Sequence, residues 1–204
     1  MTSLRHNGSD GTADRTEPRD SYLDAARACI LDVGWRRTTL TEVARRAGVS
    51  RMTIYRSWTA MPTLLGDLMT REWAGVVAAA VADEDAHRPT VERLVSTVVT
   101  TVRVLRDNEL FVRIVELDAE LLLPYLLSRR GRSQDLVLAV TEQHVRAGQA
   151  TGEIRAGDPV AISRGLLLAA HGFVLSAHTM VGDGVSEAAI DAELAHLLTR
   201  GLVA

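Results

Sequence analysis

The stretch "AGVSRMTIYRSW", residues 47 to 58, decides how the rest of the chain is read. In an α-helix each residue turns by about 100°, so Ile54 and Trp58, four apart, share one face. Met52 and Arg56 point the other way, with Thr53 and Tyr55 beside them. One side is suited to a core and the other to a partner. Gly48 has no Cβ and suits a left-handed turn before the helix, Ser50 can cap it, and Val49 can staple to Ile54. So short a helix is unstable alone. Ile54 and Trp58 must therefore hold it against its neighbours while Arg51, Met52, Thr53, Tyr55 and Arg56 stay exposed.

Upstream, Thr39 followed three residues later by Glu42 has the form of a capping box, and Val43, Ala44 and Ala47 carry the apolar side of a helix that stops at Gly48. Before it, Tyr22, Ala25, Ala26, Cys29, Ile30 and Val33 make one stripe, predicting a helix over 21–33 that Gly34 ends. Helix, short glycine turn, helix is the helix-turn-helix pattern. Its second helix enters the major groove of DNA, where Arg pairs with guanine, Thr and Met touch a thymine methyl, and a tyrosine hydroxyl binds phosphate. The N–H groups at the helix starts near Thr39 and Ser50 add phosphate sites.

The charge distribution agrees. The net charge of −3 conceals eight Arg against four acids in residues 19–60, and thirteen Arg against nineteen acids in residues 61–204. A basic block on an acidic body is a nucleic-acid footprint at one end of the molecule. Residues 1–19 are rich in Gly, Ser, Thr and Asp with little to bury, and read as a disordered tail. The single cysteine, Cys29, excludes an intramolecular disulfide and sits among core positions. No Cys/His spacing matches a metal site, so neither metal nor cofactor is expected. With no signal peptide and no uninterrupted apolar span of membrane length, a cytoplasmic protein is expected.

Beyond residue 58 the period stays helical and alternating β-branched runs are missing, so the chain is predicted to be all-α. A helix restarts after Thr59 with Pro62 in its first turn. Others cover 90–106, 109–127 with a break or kink at Pro124, and 133–148. Asp158 and Pro159 open a helix to about residue 181 that is apolar nearly all round and so expected to be buried on both sides; the last helix covers about 186–202. These two suit a subunit interface.

Taken together, "AARACILDVGW", "TTLTEVARRAGVS" and "RMTIYRSW", followed by a helix near Pro62, resemble the DNA-binding domain of the TetR family of bacterial transcriptional regulators. The resemblance covers residues 20–66. It implies an N-terminal three-helix helix-turn-helix domain at 20–66 and a larger helical domain at 67–204 for effector binding and dimerisation. It also implies that Thr39 caps a helix near a phosphate, that Thr53 and Tyr55 contact the DNA backbone, and that Arg51, Met52 and Arg56 face bases or backbone, with Ser50 at the helix start. Met52 stands where many members have Gly, Trp58 where Phe is usual, and Met61 where a Lys often opens the fourth helix. Base readout, a core contact and one phosphate contact are expected to differ accordingly.

The resemblance further implies a homodimer, pairing through 158–181 and 186–202, on a two-fold symmetric double-stranded operator. A small molecule in the body would release the DNA, as in a repressor; an activator shares the architecture. Sequence alone marks candidate pocket positions. Asp118 interrupts an apolar stripe with Phe111 and Tyr125, so it must be paired, protonated or facing a cavity, and pairing with an Arg of a neighbouring helix is the commoner outcome for a buried acid. Met69 and Trp73, with His144 and His171, complete the candidates. His171 and His178 are too far apart along one helix for a metal pair. An enzyme is not expected, because no phosphate loop, metal motif or triad is present. A protein-interaction module without DNA binding would scatter its basic charge, which this chain does not.

Overall fold

The computed structural model describes residues 18–83, 85 and 87–203. Helix α1 (Pro18–Val33) turns Leu23, Ala26, Cys29 and Ile30 into a core. It starts ahead of the expected Ser21, so Pro18 and Arg19 belong to the helix and not to the tail. Proline costs no hydrogen bond in a first turn, and Arg19 is fixed by an ion pair to Asp67 and by stacking over Trp58 at 5.1 Å. The rest of the expected tail, residues 1–17, lies outside the described residues.

Gly34, at φ +83°, turns the chain into a short 3-10 turn, Trp35–Arg37. Helix α2 (Leu40–Arg46) is capped by Thr39 Oγ1, which accepts the Glu42 N–H at 3.2 Å. Only half of the reciprocal capping box forms, because the Glu42 carboxylate is taken by Arg45 at 2.6 and 2.9 Å. Gly48, at φ +68°, makes the turn into α3 (Arg51–Ser57), and Ser50 Oγ accepts the Thr53 N–H at 3.2 Å.

Helix α4 (Met61–Ala82) carries Pro62 in its first turn and runs straight through residue 66. The expected boundary at 66/67 thus falls inside one helix, which ties the N-terminal head to the body. Helix α5 (Thr90–Arg106) covers the predicted range. The helix expected over 109–127 breaks earlier than Pro124: α6 (Glu109–Asp118) ends where Asp118 leaves helical geometry at φ −142°, ψ 36°. A 3-10 turn, Ala119–Leu121, follows, and α7 (Leu123–Leu127) takes Pro124 in its first turn, where proline starts a helix without kinking one.

Helices α8 (Arg132–Thr151), α9 (Pro159–Ser176) and α10 (Glu187–Leu202) complete the body. Asp158 caps α9 as predicted and Ser186, at the expected start of the last helix, caps α10, with 3.0 and 3.2 Å bonds to the N–H groups of Val160 and Ala189. No strand occurs among the described residues, and the one isolated bridge pairs Gly182 with Val185.

Two cores result. The first joins α1–α4 around Ile30, Val43, Ile54, Trp58 and Leu68, and α6 inserts Leu110 and Ile114 into it. The second joins α5, α8, α9 and α10 around Leu94, Val102, Val145, Leu166 and Leu194. Helix α9 departs from expectation: α5 and α8 cover its inner side, but Leu168 on the outer side is 70% exposed. Among the described residues nothing covers Leu168 on that side. By length and composition alone, Pro159–Met180 is apolar enough to cross a membrane; here it packs in the bundle.

Candidate nucleic-acid interface and effector cavity

Helix α3 has the two faces that its sequence predicts. Ile54 and Trp58 are 0% and 1% exposed, whereas Met52 is 70% exposed and Arg51, Tyr55 and Arg56 also face outward. Trp58 ends the helix and anchors it twice. Its indole N–H donates to Asp67 Oδ2 on α4 at 2.8 Å, and Tyr22 of α1 meets its ring edge-on at 6.4 Å. The short helix is therefore held rigidly while its polar side is presented. Thr39, Ser50 and Thr53 lie at the capped starts of α2 and α3, where backbone N–H groups favour an anion.

The arginines of the basic block divide into two sets. Arg19 pairs with Asp67, Arg27 with Glu72 and Glu109, Arg36 with Asp118 and Glu120, Arg45 with Glu42, and Arg46 with Asp32. Among the described residues, no acidic partner occurs for Arg37, Arg51 or Arg56. All three are exposed. The unneutralised charge of the head is thus concentrated on α3 and on the turn that leads into α2. Arg37 was not singled out from sequence; its signal is a basic residue two positions ahead of a helix cap, where a phosphate would sit.

Cys29 lies in the head's core at 1% exposure, and burial pushes its thiol up from the ordinary range, partly offset by Arg46. The thiol is therefore a neutral core group.

Asp118 is not part of the wall of the body's cavity. It is 2% exposed, accepts the Trp35 backbone N–H at 3.0 Å and lies 3.4 Å from Arg36 Nε. Of its expected alternatives, pairing with an Arg of a neighbouring element is the one that occurs. The carboxylate clips the end of α6 onto the turn after α1, which is also why α6 stops there. With the helix ended, Tyr125 no longer shares a stripe with Asp118.

The other six pocket candidates come together. Met69 and Trp73 of α4, Phe111 of α6, Tyr125 of α7, His144 of α8 and His171 of α9 all line one cavity of about 390 Å³ inside the body. Trp73 and Phe111 meet edge-on at 5.9 Å. The volume suits a small organic molecule, and the walls are mainly apolar with a few polar groups, as in ligand sites generally. His144 Nδ1 donates to the Val140 carbonyl at 2.9 Å, and the Gln134 amide lies 3.4 Å from His171 Nε2. Burial holds the His171 pKa below its ordinary value, which favours a neutral ring. No group of His, Cys, Asp or Glu suited to a metal occurs among the described residues, and His178 lies outside the cavity on an exposed turn. The run "SRRGR", residues 128–132, places Arg129, Arg130 and Arg132 at the cavity lip; the sequence reading did not single them out.

Comparison with known proteins matches this geometry. The family model for bacterial regulatory proteins of the tetR family matches residues 23–68, which run from within α1 through α2 and α3 to the start of α4. An uncharacterized HTH-type transcriptional regulator of Mycobacterium tuberculosis is 32% identical over 185 residues, covering 91% of this chain and 94% of that protein. Among solved structures, the transcriptional regulator FadR from Bacillus subtilis in complex with stearoyl-CoA superposes with a TM-score of 0.64 at 16% identity, over 89% of this chain and 98% of its own. RolR in complex with resorcinol superposes at 0.66 and 13% identity, over 91% and 87%. A relative similar nearly end to end, a matching family model on the head and a shared fold across the body agree: the chain belongs to the tetR family of bacterial transcriptional regulators.

Proposed function

We propose that this regulator is a cytoplasmic, non-enzymatic repressor that binds a two-fold symmetric operator as a homodimer and leaves it when an apolar molecule fills the body cavity. The observation that carries the DNA reading is the division of the head's arginines: Arg37, Arg51 and Arg56 are without acidic partners among the described residues and lie beside Thr39, Ser50, Met52, Thr53 and Tyr55. Arg51, Met52 and Arg56 meet base edges or backbone, while Thr39, Ser50, Thr53 and Tyr55 meet phosphate. One seven-residue helix offers few base contacts, so two-fold pairing supplies the specificity.

The pairing surface is the outer side of α9 and α10. Leu168 and Leu197 are 70% and 53% exposed, and Gly165 and Gly172 on the same side of α9 have open space where a Cβ would stand. A second copy of these helices covers an apolar side that one protomer leaves bare. The cavity connects to the head through two helices. Met69 and Trp73 line it from α4, which continues from the head, and Phe111 lines it from α6, which is clipped to the head by Asp118. Two solved neighbours, FadR in complex with stearoyl-CoA and RolR in complex with resorcinol, hold organic ligands within the same fold.

Selection from randomised duplex DNA at moderate salt tests the reading. The expected result is one consensus with two-fold symmetry, bound by a dimer. Salt-sensitive binding without enrichment of any sequence would refute it.

A further inference from the structure

The cavity's charged groups are distributed unevenly. Among the described residues that line it there is no Asp or Glu, and its only permanently charged side chains, Arg129, Arg130 and Arg132, all stand at the junction of α7 and α8. The rest of the wall is mainly aliphatic and aromatic. At this lip the exposed Leu126 and Leu127 adjoin the arginines. Arg130 is paired with Asp135 at 3.1 Å, whereas Arg129 has no acidic partner among the described residues and rests over the Tyr125 ring at 5.0 Å.

Arg132 is bound differently. It pairs with Asp67 of α4, the same carboxylate that accepts the Trp58 indole N–H at 2.8 Å and pairs with Arg19. Trp58 ends α3, and Gly66, beside Asp67, lines the cavity. One largely buried carboxylate therefore joins the lip of the cavity to the anchor of the helix that faces DNA.

We propose that the cavity selects an apolar molecule bearing one anionic group, whose body lies against Trp73 and Phe111 and whose anion is received by Arg129 and Arg132 at the lip. A cation meets no carboxylate among the lining residues and faces Arg129, which has no acidic partner among the described residues, whereas an anion gains charge-assisted hydrogen bonds from planar donors. The anion competes with Asp67 for Arg132. Once Arg132 turns to the ligand, Asp67 is left with Trp58 and Arg19 alone, so the charge that signals occupancy is felt where α3 is anchored. The inference rests on the cavity being the effector site and adds the ligand's chemical class and a contact that reports it.

The test is isothermal titration of the full chain with straight-chain carboxylates of about six to fourteen carbons, a range suited to a cavity of this size, and with the alcohols of equal length, all below their aggregation concentrations. The carboxylate is expected to bind about tenfold tighter than its alcohol. In R129Q/R132Q that ratio falls to near unity with the alcohol's affinity unchanged, and in D67N, where the competitor for Arg132 is neutral, the carboxylate binds tighter than to the parent. Coenzyme A thioesters of the same acids run in parallel; tighter binding than the free acid identifies a phosphate-bearing anion, and weaker binding a carboxylate. Equal affinity for acid and alcohol in the parent chain overturns the inference and leaves the apolar effector cavity standing. Binding of neither series overturns both.

Discussion

Asp118→Ala removes the carboxylate that joins α6 to the turn after α1, and its cost follows from two contacts. The side chain is 2% exposed and accepts the Trp35 N–H at 3.0 Å, with Arg36 Nε at 3.4 Å. Losing a hydrogen bond to a charged acceptor costs about 1.5–3 kcal/mol, and the Trp35 N–H is left without its partner in a partly buried site. The Arg36 contact adds little, because that guanidinium is mostly in solvent. A loss of about 2–3 kcal/mol is expected, which for a chain of this size lowers Tm by about 5–10 °C. Thermal and urea unfolding at fixed protomer concentration measure it, since dimerisation makes both depend on concentration. Asp118→Asn retains an oxygen for the Trp35 N–H and should lose about 1 kcal/mol. Glu120→Ala, which removes only the exposed partner of Arg36, should leave stability unchanged. A loss below about 0.5 kcal/mol for Asp118→Ala would refute the assignment of this carboxylate as the clip between head and body.

Three further outcomes are expected. Gly148→Ala places a Cβ 2.6 Å from Ile154 Cδ1 and 3.2 Å from its Cβ, in a residue that is 3% exposed, so overpacking should cost about 1–3 kcal/mol in urea unfolding, and an unchanged midpoint would contradict that packing. Leu168→Glu combined with Leu197→Glu should turn the dimer into a folded monomer by sedimentation; a dimer that persists would move the interface elsewhere. His171 is held by burial below its ordinary value of 6.5, so the unfolded chain binds a proton that the folded one resists. Its contribution is complete above that value and is lost as pH falls through it. His171→Gln should therefore flatten the decline in stability between about pH 7 and 5, and an unaltered slope would contradict it.

Elements whose signal is local were legible in the sequence. Ser50, Gly48 and the spacing of Ile54 and Trp58 define α3 and its two faces without help from the rest of the chain, and Asp158–Pro159 and Ser186 mark the starts of α9 and α10. Features set by partners distant in the chain were not. Asp118 reads from sequence as a buried acid in need of a partner, but which partners it takes, Arg36 and the Trp35 N–H 83 residues away, is set only by folding. Arg37 and Arg36 are adjacent and alike in sequence; only folding gives Arg36 its acids and leaves Arg37 bare among the described residues. Six of the seven candidate pocket positions converge because aromatic, Met and His side chains on inward helix faces meet wherever the bundle leaves space. The arginines of "SRRGR" were missed because charge between two helices carries no local sign of the cavity behind it.

The most direct measurement of the central claim is the affinity of Tyr55→Ala/Arg56→Ala for the operator obtained by selection, against the parent chain at the same salt. Both side chains are exposed on α3, so the dimer should remain folded with an unchanged Tm. Removing two contacts per protomer, each worth about 1–3 kcal/mol, predicts a loss of at least about 100-fold. Sequence-specific binding within about threefold of the parent would mean that this helix does not read the operator.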